Sequence, residues 1–354
     1  MVNYRLATEE DYQNINDFHN RIYKSNRTIE QFYWEFHNCP FGKSIYVIAE
    51  DEGKVVGTNC VIPIDLITSG QQIIRSGKSE DTLVDPEYRG QKIFYHIYEF
   101  LFEKCKEEGI KIIWGFTSAK KPFKNLGFSV PFDHQQSLAV NNIWKSYKFL
   151  STLNSKNRIK DKLKILGLTI YSKLKLSGRL RAGLRAYRIT EDEDIIDGIS
   201  NLIQSNLTLL NSSYAILQNS RFQQWRIYQN PNYHKVHTYG FYDAENNLSA
   251  LIVLNSHPNQ IAYICQSSFH QQISKAERVK MLKFVTAKMF GQGIHLIRNW
   301  QFGSNTLNSL ESKLYKDAHY VHLKIGIGFV WKELDNIDIE PEGFYLSRVS
   351  TQGV

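Results

Sequence analysis

The chain has only four cysteines in 354 residues, and no two of them form a CxxC pair. Cys39, Cys60, Cys105 and Cys265 stand far apart, which argues against a disulfide framework and suits a reducing compartment. Histidines show no HExxH or similar spacing, so no metal is expected. No stretch approaches the roughly 18 apolar residues of a membrane span. The amino-terminal MVNYRLATEEDY is charged and has no apolar core, so no signal peptide is expected. These absences together point to a cytoplasmic placement.

What is present is a core-forming composition and a local charge. Hydrophobic residues make up 42% and charged residues 22%, as in folded globular chains, and the length suggests two domains. Twenty Tyr, twenty Phe and six Trp imply large cores or an aromatic-lined cleft. The net charge of +8 is concentrated between Lys145 and Arg188, where thirteen Lys/Arg face one acid, Asp161, giving +12. The rest of the chain is therefore slightly acidic. Leu163, Ile165, Leu166, Leu168, Ile170 and Leu174 interleave with these charges, and Gly167, Gly178 and Gly183 suggest broken helical pieces. This segment reads either as a solvated connector or as a surface for anionic lipid, a nucleotide or RNA.

Before the basic segment, patterns alternate. Thr8 is a candidate N-cap for TEEDYQNINDFHNRIY, and TIEQFYWEFHNCP reads as a second helix ended before Pro40. SIYVIAEDEGKVVGTNCVIPIDLI reads as two strands joined at Asp51-Glu52-Gly53. KIFYHIYEFLFEKCKEEG is an amphipathic helix with Ile93, Ile97, Phe100, Leu101 and Cys105 on one face, stopped by Gly109. After residue 188 the pattern returns. Trp225 and Pro231 repeat the six-residue spacing of Trp34 and Pro40, Asp243-Ala244-Glu245 repeats the acidic turn, and GIHLIRNWQF matches GIKIIWGF. Two copies of one fold are expected, with each tryptophan anchoring a helix in its own core. The closing EGFYLSRVSTQGV reads as a frayed tail, or as a flap bringing Tyr345 or Arg348 to a substrate.

The stretch TLVDPEYRGQKIFYHIYEF carries the chemistry. Its strand is expected to stop or splay at Asp85-Pro86, because proline removes a ladder donor. Glu87 to Lys92 then turn into a helix at Ile93. Unpaired amides at a helix start, with the helix dipole, make an anion site. Gly90 lets a ligand approach the backbone, and Arg89 and Lys92 add positive charge.

LVDPEYRGQKIF resembles the acyl-CoA loop of the GCN5-related N-acetyltransferases, the GNAT superfamily, which usually reads Arg/Gln-x-x-Gly-x-Gly/Ala. Lys92 and Phe94 replace the small residues of that pattern. FKNLGF resembles the segment that follows in the family, with Phe123 where a tyrosine often protonates the leaving thiolate. The resemblance is good over about residues 3–132 and rests on element order alone over about 189–335. It implies an α/β (α+β) chain of two GNAT-like domains, each a mixed, mostly antiparallel central sheet flanked by helices. The expected boundaries are 1–140 for an acyl-CoA-binding domain, 141–188 for a basic helical connector and 189–354 for a second domain lacking a phosphate loop.

The resemblance implies that amides of Arg89, Gly90, Gln91, Lys92, Ile93 and Phe94 hold the CoA diphosphate, and that Leu83 and Val84 pair with pantetheine. The implied activity is acetyl transfer from acetyl-CoA, as co-substrate, to a small-molecule primary amine, such as an amino sugar or a surface-polysaccharide precursor. Strand alternation puts Glu80, Thr82 and Val84 on one face and Asp81 on the other. Glu80 is then the candidate base for the amine, or it pairs with a nearby Lys or Arg. Two other readings remain open: an aminoacyl-tRNA-dependent transferase resembling the FemABX type, and a non-catalytic GNAT-like binding protein. Contact of residues 145–188 with an anionic membrane surface or a nucleotide would make the chain peripheral to the inner membrane face; a nucleic-acid partner is not the favoured reading.

Overall fold

The computed structural model describes residues 2–153, 158–180, 184, 187–192, 195–208, 213–302, 306–337 and 339–351. The first run of elements is β1 (Asn3–Leu6), α1 (Tyr12–Tyr23), α2 (Ile29–Phe32), β2 (Ile45–Asp51), β3 (Lys54–Thr68), β4 (Ile73–Val84), α3 (Ile93–Glu107), β5 (Ile112–Thr117), α4 (Lys120–Asn125) and β6 (Asp133–Val140). Two helices follow, α5 (Ile143–Thr152) and α6 (Ile159–Leu176). The second run is β7 (Arg188–Glu191), α7 (Ile199–Leu207), β8 (Tyr214–Ile216), α8 (Ser220–Gln223), β9 (Lys235–Tyr242), β10 (Leu248–Ser256), β11 (Ile261–Phe269), α9 (Lys275–Gly291), β12 (Leu296–Gln301), α10 (Thr306–Asp317), β13 (Val321–Glu333) and β14 (Phe344–Tyr345). Apart from the short strands β8 and β14, the second run repeats the first.

Twelve strands lie in the order β1-β2-β3-β4-β5-β13-β6-β12-β11-β10-β9-β7. Read from either end, equivalent strands appear in the same sequence, so the repeat seen in the residues is a repeat in space. The centre is an exchange. β5 pairs with β13 from the far end of the chain, and β12 pairs with β6 from the first run. Each half-sheet is thus continued by the other half's last strand. Position 140 separates two stretches of sequence but not two sheets. Along this path pairing is antiparallel except at β4–β5 and β11–β12.

The two halves also share a core. Trp34 and Trp225 do not anchor separate cores, as their spacing suggested. Their rings stack at 5.3 Å, and each indole N–H donates to the other's backbone carbonyl, at 2.9 and 2.8 Å. Both lie in π-helical turns, Tyr33–His37 and Gln224–Tyr228, where one extra residue per turn aims the ring inward. On the opposite face α3 buries Ile93, Ile97, Leu101 and Cys105 under the first half-sheet. Burial of such side chains contributes about 1.5–3 kcal/mol each. Gly57 of β3 is what lets this helix sit so low: a Cβ there would lie 2.8 Å from Ile93 and 2.9 Å from Ile97.

Two further expectations change. Helix α6 runs unbroken through Gly167, because glycine in a helix costs only about 1 kcal/mol and packing outweighs it. Gly178, with φ +70°, follows the helix end; Gly183 lies outside the described residues. The closing segment is not frayed. Phe344, Leu346, Arg348 and Val349 are buried, and Arg348 lies over the Tyr263 ring at 4.3 Å. Alternating apolar residues, hidden among polar ones in the sequence, seat it in the shared core. Residues 352–354 of that segment lie outside the described residues.

Candidate active site

Strands β4 and β5 pair only over Ser76–Lys78 and Ile112–Trp114. Beyond that point they part, although β4 continues to Val84 and β5 to Thr117. The gap is a cavity of about 650 Å³, within the ordinary size of a ligand cleft. Leu83, Val84, Arg89 and Phe94 line it, as does Glu80. Val84 and Leu83 pair with Gly57 and Thr58 of β3, so their other backbone edge faces the gap.

The turn closes one end of the cleft. Asp85 caps a short turn at Pro86–Tyr88 by accepting from the Glu87 amide at 3.1 Å, and it pairs with Arg21 of α1 at 2.9 Å. Tyr88 donates to Asp51 at 3.0 Å. With the turn tethered at both sides, Gly90 takes φ +88° and Lys92 takes φ +59°. Lys92 is the N-cap of α3, and no side chain caps that helix. The amides of Ile93 and Phe94 thus have no intrahelical acceptor and carry the positive end of the dipole, while that of Tyr95 donates to the Lys92 carbonyl at 2.9 Å. Arg89, Gly90, Gln91 and Lys92 are exposed around them, while Ile93 is buried beneath. The lysine stem does not line the cleft.

Lys92 occupies a left-handed conformation that favours glycine, at about 1–2 kcal/mol for another residue. Lys92→Gly is therefore expected to raise the unfolding free energy by about 1 kcal/mol in urea titration; an unchanged midpoint would mean that the residue does not hold φ +59° in solution.

A β-bulge corrects the facing of the acidic pair. β3 pairs Cys60 with Glu80 but Thr58 with Leu83, so Asp81 and Thr82 together oppose Asn59, with Asp81 at φ +53°. Ser79 and Thr82, three apart, both reach Tyr98 of α3, at 2.8 and 3.1 Å. Glu80 and Asp81 both face the α1 side, where their charges raise the Tyr23 hydroxyl after burial has already done so. The alternation that put Thr82 and Val84 with Glu80 fails because the bulge adds one residue to the strand.

Glu80 pairs with the buried Lys78. Asp81 is enclosed: its side chain is 3% exposed and meets His19 Nδ1 at 2.6 Å, the Arg27 guanidinium at 3.1 Å and the Tyr46 hydroxyl. Burial alone would raise this carboxyl, yet these partners outweigh it and hold the group below the usual carboxylate range. Sequence reasoning did not find His19, Arg27 or Tyr46, since their common partner lies 35 to 62 residues away. Phe123 also lines the cleft and packs edge-on against Phe94, at 5.6 Å, and Tyr98, at 5.5 Å. Tyr95, one of the phenols in the cleft wall, accepts from Asn125 at 3.2 Å.

The equivalent place in the second half is built differently. β11 and β12 also part, after Ile264 and Asn299. There the start of α9 is closed by a reciprocal cap between Ser274 and Glu277, which occupies amides and adds negative charge. Tyr315 stands where Phe123 stands in the first half, with His319 at φ +72° matching Gly127 at φ +80°. Its hydroxyl donates to Ser267 at 3.0 Å, and Ser267 donates to Glu311 at 2.6 Å. Burial pushes the Glu311 carboxyl up to about 7, against the Ser267 hydrogen bond. A second cavity, of about 260 Å³, lies beside Ser267 and Glu311, and Tyr345 lines it and not the first. No group of three or more metal-ligating side chains gathers among the described residues.

The parted parallel pair and the uncapped helix start lie within the stretch that resembles the GNAT superfamily. Residues 3–130 match the family model described as an acetyltransferase (GNAT) domain, and that part of the chain is such a domain. No curated protein matches the chain by sequence. Among solved structures, a GCN5-related N-acetyltransferase from Anabaena variabilis aligns over 95% of this chain and 73% of its own, with TM-score 0.62 and 11% identity. A tandem GNAT protein from the clavulanic acid biosynthesis pathway aligns over 96% of this chain and 100% of its own, with TM-score 0.59 and 11% identity. Saccharomyces cerevisiae N-myristoyltransferase, solved with bound myristoyl-CoA and inhibitors, aligns over 100% of this chain and 86% of its own, with TM-score 0.59 and 12% identity. At these identities the likeness is one of fold.

Proposed function

We propose that the chain is an acyl-CoA-dependent N-acyltransferase that moves an acetyl group from acetyl-CoA to a small-molecule primary amine. The observation that carries this reading is the uncapped start of α3 at the mouth of the β4–β5 cleft. The diphosphate of CoA would take the amides of residues 89–94, and the pantetheine amides would take the free edge of Leu83 and Val84. The second half, its helix start capped, would shape the acceptor side. An amino sugar or a polysaccharide precursor fits a primary-amine acceptor. The donor is tested by calorimetry against acetyl-, hexanoyl- and myristoyl-CoA, with acetyl-CoA expected to bind and free phosphate not; absence of binding heat for all three would end the reading.

The amine must lose a proton before it attacks the thioester carbon; a C–N bond forms, the C–S bond breaks and the CoA thiolate leaves. With phenylalanine at 123, the thiolate takes its proton from solvent or from a neighbouring group. A thiol with pKa near 8.5 leaves readily enough for this. Glu80 is the proposed proton acceptor, with Lys78 holding it in place. A second reading is favoured by the His19–Asp81 contact at 2.6 Å, in which Asp81 orients the imidazole as the acceptor. Glu80→Gln is expected to lower kcat about a hundred-fold with the acetyl-CoA dissociation constant unchanged. If His19→Gln produces that loss and Glu80→Gln does not, the imidazole is the base.

A further inference from the structure

Twelve large hydrophobic side chains are exposed among the described residues, and seven of them lie between Trp144 and Leu174. On α6 they form a stripe. At 3.6 residues per turn, Ile159, Leu163, Ile170 and Leu174 fall within an arc of about 60°. Ile159 is 77% exposed, Leu163 63% and Leu174 68%. The opposite face of the same helix packs inward through Thr169, Ser172 and Leu176, with Ile165 and Leu168 against the core beside β6. This is the reverse of an ordinary surface helix, whose outward face is polar. Trp144, on the preceding helix α5, is 70% exposed as well.

Lysines border the stripe. Lys160 and Lys164 flank one side and Lys162 the other, within a segment whose sequence carries +12. We propose that the outer faces of α5 and α6 lie in the surface of an anionic lipid bilayer. The apolar stripe would sink to the level of the acyl-chain boundary while the lysines reach back to the phosphates, as in helices that lie in the interface plane. No helix among the described residues is long and apolar enough to cross a membrane, so the contact is in the plane of the surface. A second copy of this chain is a poor occupant: a two-fold contact sets each patch against its own likeness, and the lysines would meet lysines. RNA would need the charges at the centre of the patch, where leucine and isoleucine stand. An anionic bilayer meets both the apolar centre and the basic border. The proposal is independent of the transferase reading.

The test is sedimentation of the intact chain with vesicles of phosphatidylcholine alone and of phosphatidylcholine with phosphatidylglycerol. Binding is expected to the anionic vesicles, weakly to the neutral ones, and to fall in 1 M salt. Each lysine near such a surface contributes about five-fold in partitioning, so Lys160→Glu with Lys164→Glu lowers binding at least about 25-fold. Ile159→Ser with Leu163→Ser and Leu174→Ser is expected to abolish it at unchanged circular dichroism and melting temperature. Brominated lipid is expected to quench tryptophan fluorescence in the native chain and not in Trp144→Phe. A chain that stays in the supernatant with anionic vesicles overturns the proposal, as does equal binding by either multiple variant. A dimer in ultracentrifugation that the triple serine variant disperses, without vesicle binding, overturns it in favour of self-association.

Discussion

Gly90→Asp is expected to raise the dissociation constant for acetyl-CoA at least about a thousand-fold. Gly90 sits at φ +88°, where a side chain costs about 1–2 kcal/mol. The added carboxylate also stands beside the place proposed for a diphosphate. Two like charges about 4 Å apart near a protein surface repel by about 4 kcal/mol. The repulsion alone supplies roughly the 4 kcal/mol that a thousand-fold change requires, and the conformational cost makes that the lower end of the expected loss. Gly90→Ala carries the conformational part alone and is expected to lose about ten-fold. Calorimetry with both variants separates the two causes. Similar affinities for Ala and Asp at this position would place the phosphates elsewhere and remove the ground for the acyl-CoA site.

Asp81→Ala is expected to lower the unfolding free energy at pH 7 by about 3–5 kcal/mol, the cost of leaving a buried charge without its partner. The charge in question is Arg27, whose guanidinium is held 3.1 Å from Asp81 and lies over the rings of Phe32 and Phe36. The pH dependence follows from the direction of the Asp81 shift. Its folded carboxyl titrates below the ordinary value, so its contribution is complete above about pH 4, the unfolded value. That contribution is lost as pH falls through the lower folded value. Wild type and Asp81→Ala are expected to differ fully at pH 7, and the gap to narrow as pH falls below about 4. A gap that does not change between those pH values would mean that the carboxylate charge is not what holds the cluster.

Much of the site was legible in the residues, and the reason is local. Pro86 ends a strand, Gly90 frees a turn, and Ile93, Ile97, Leu101 and Cys105 recur at helical spacing. Each of these acts on backbone within a few residues of itself. The facing of Glu80 and Asp81 was not legible, because strand alternation holds only where a ladder has no insertion. The bulge opposite Asn59 is a property of two strands, and neither shows it alone. The His19–Asp81–Arg27 cluster escaped for the same reason, its members lying on a helix, a loop and a strand. The second half was expected to lack a phosphate loop; that a Ser274–Glu277 cap closes the start of its α9 appeared only with the fold.

By itself the sequence determined the repeated order of elements, the turn with an open helix start, and a basic middle segment rich in leucine and isoleucine. Those follow from backbone preferences and side-chain periodicity, which act over short distances. Only the tertiary structure decided that β6 and β13 trade places, that Trp34 and Trp225 face each other, that the closing segment is buried, and that the apolar side of α6 points outward. Such outcomes depend on which surfaces meet after distant parts of the chain come together, and one strand or one helix has equal claim to several partners until the rest of the core is in place.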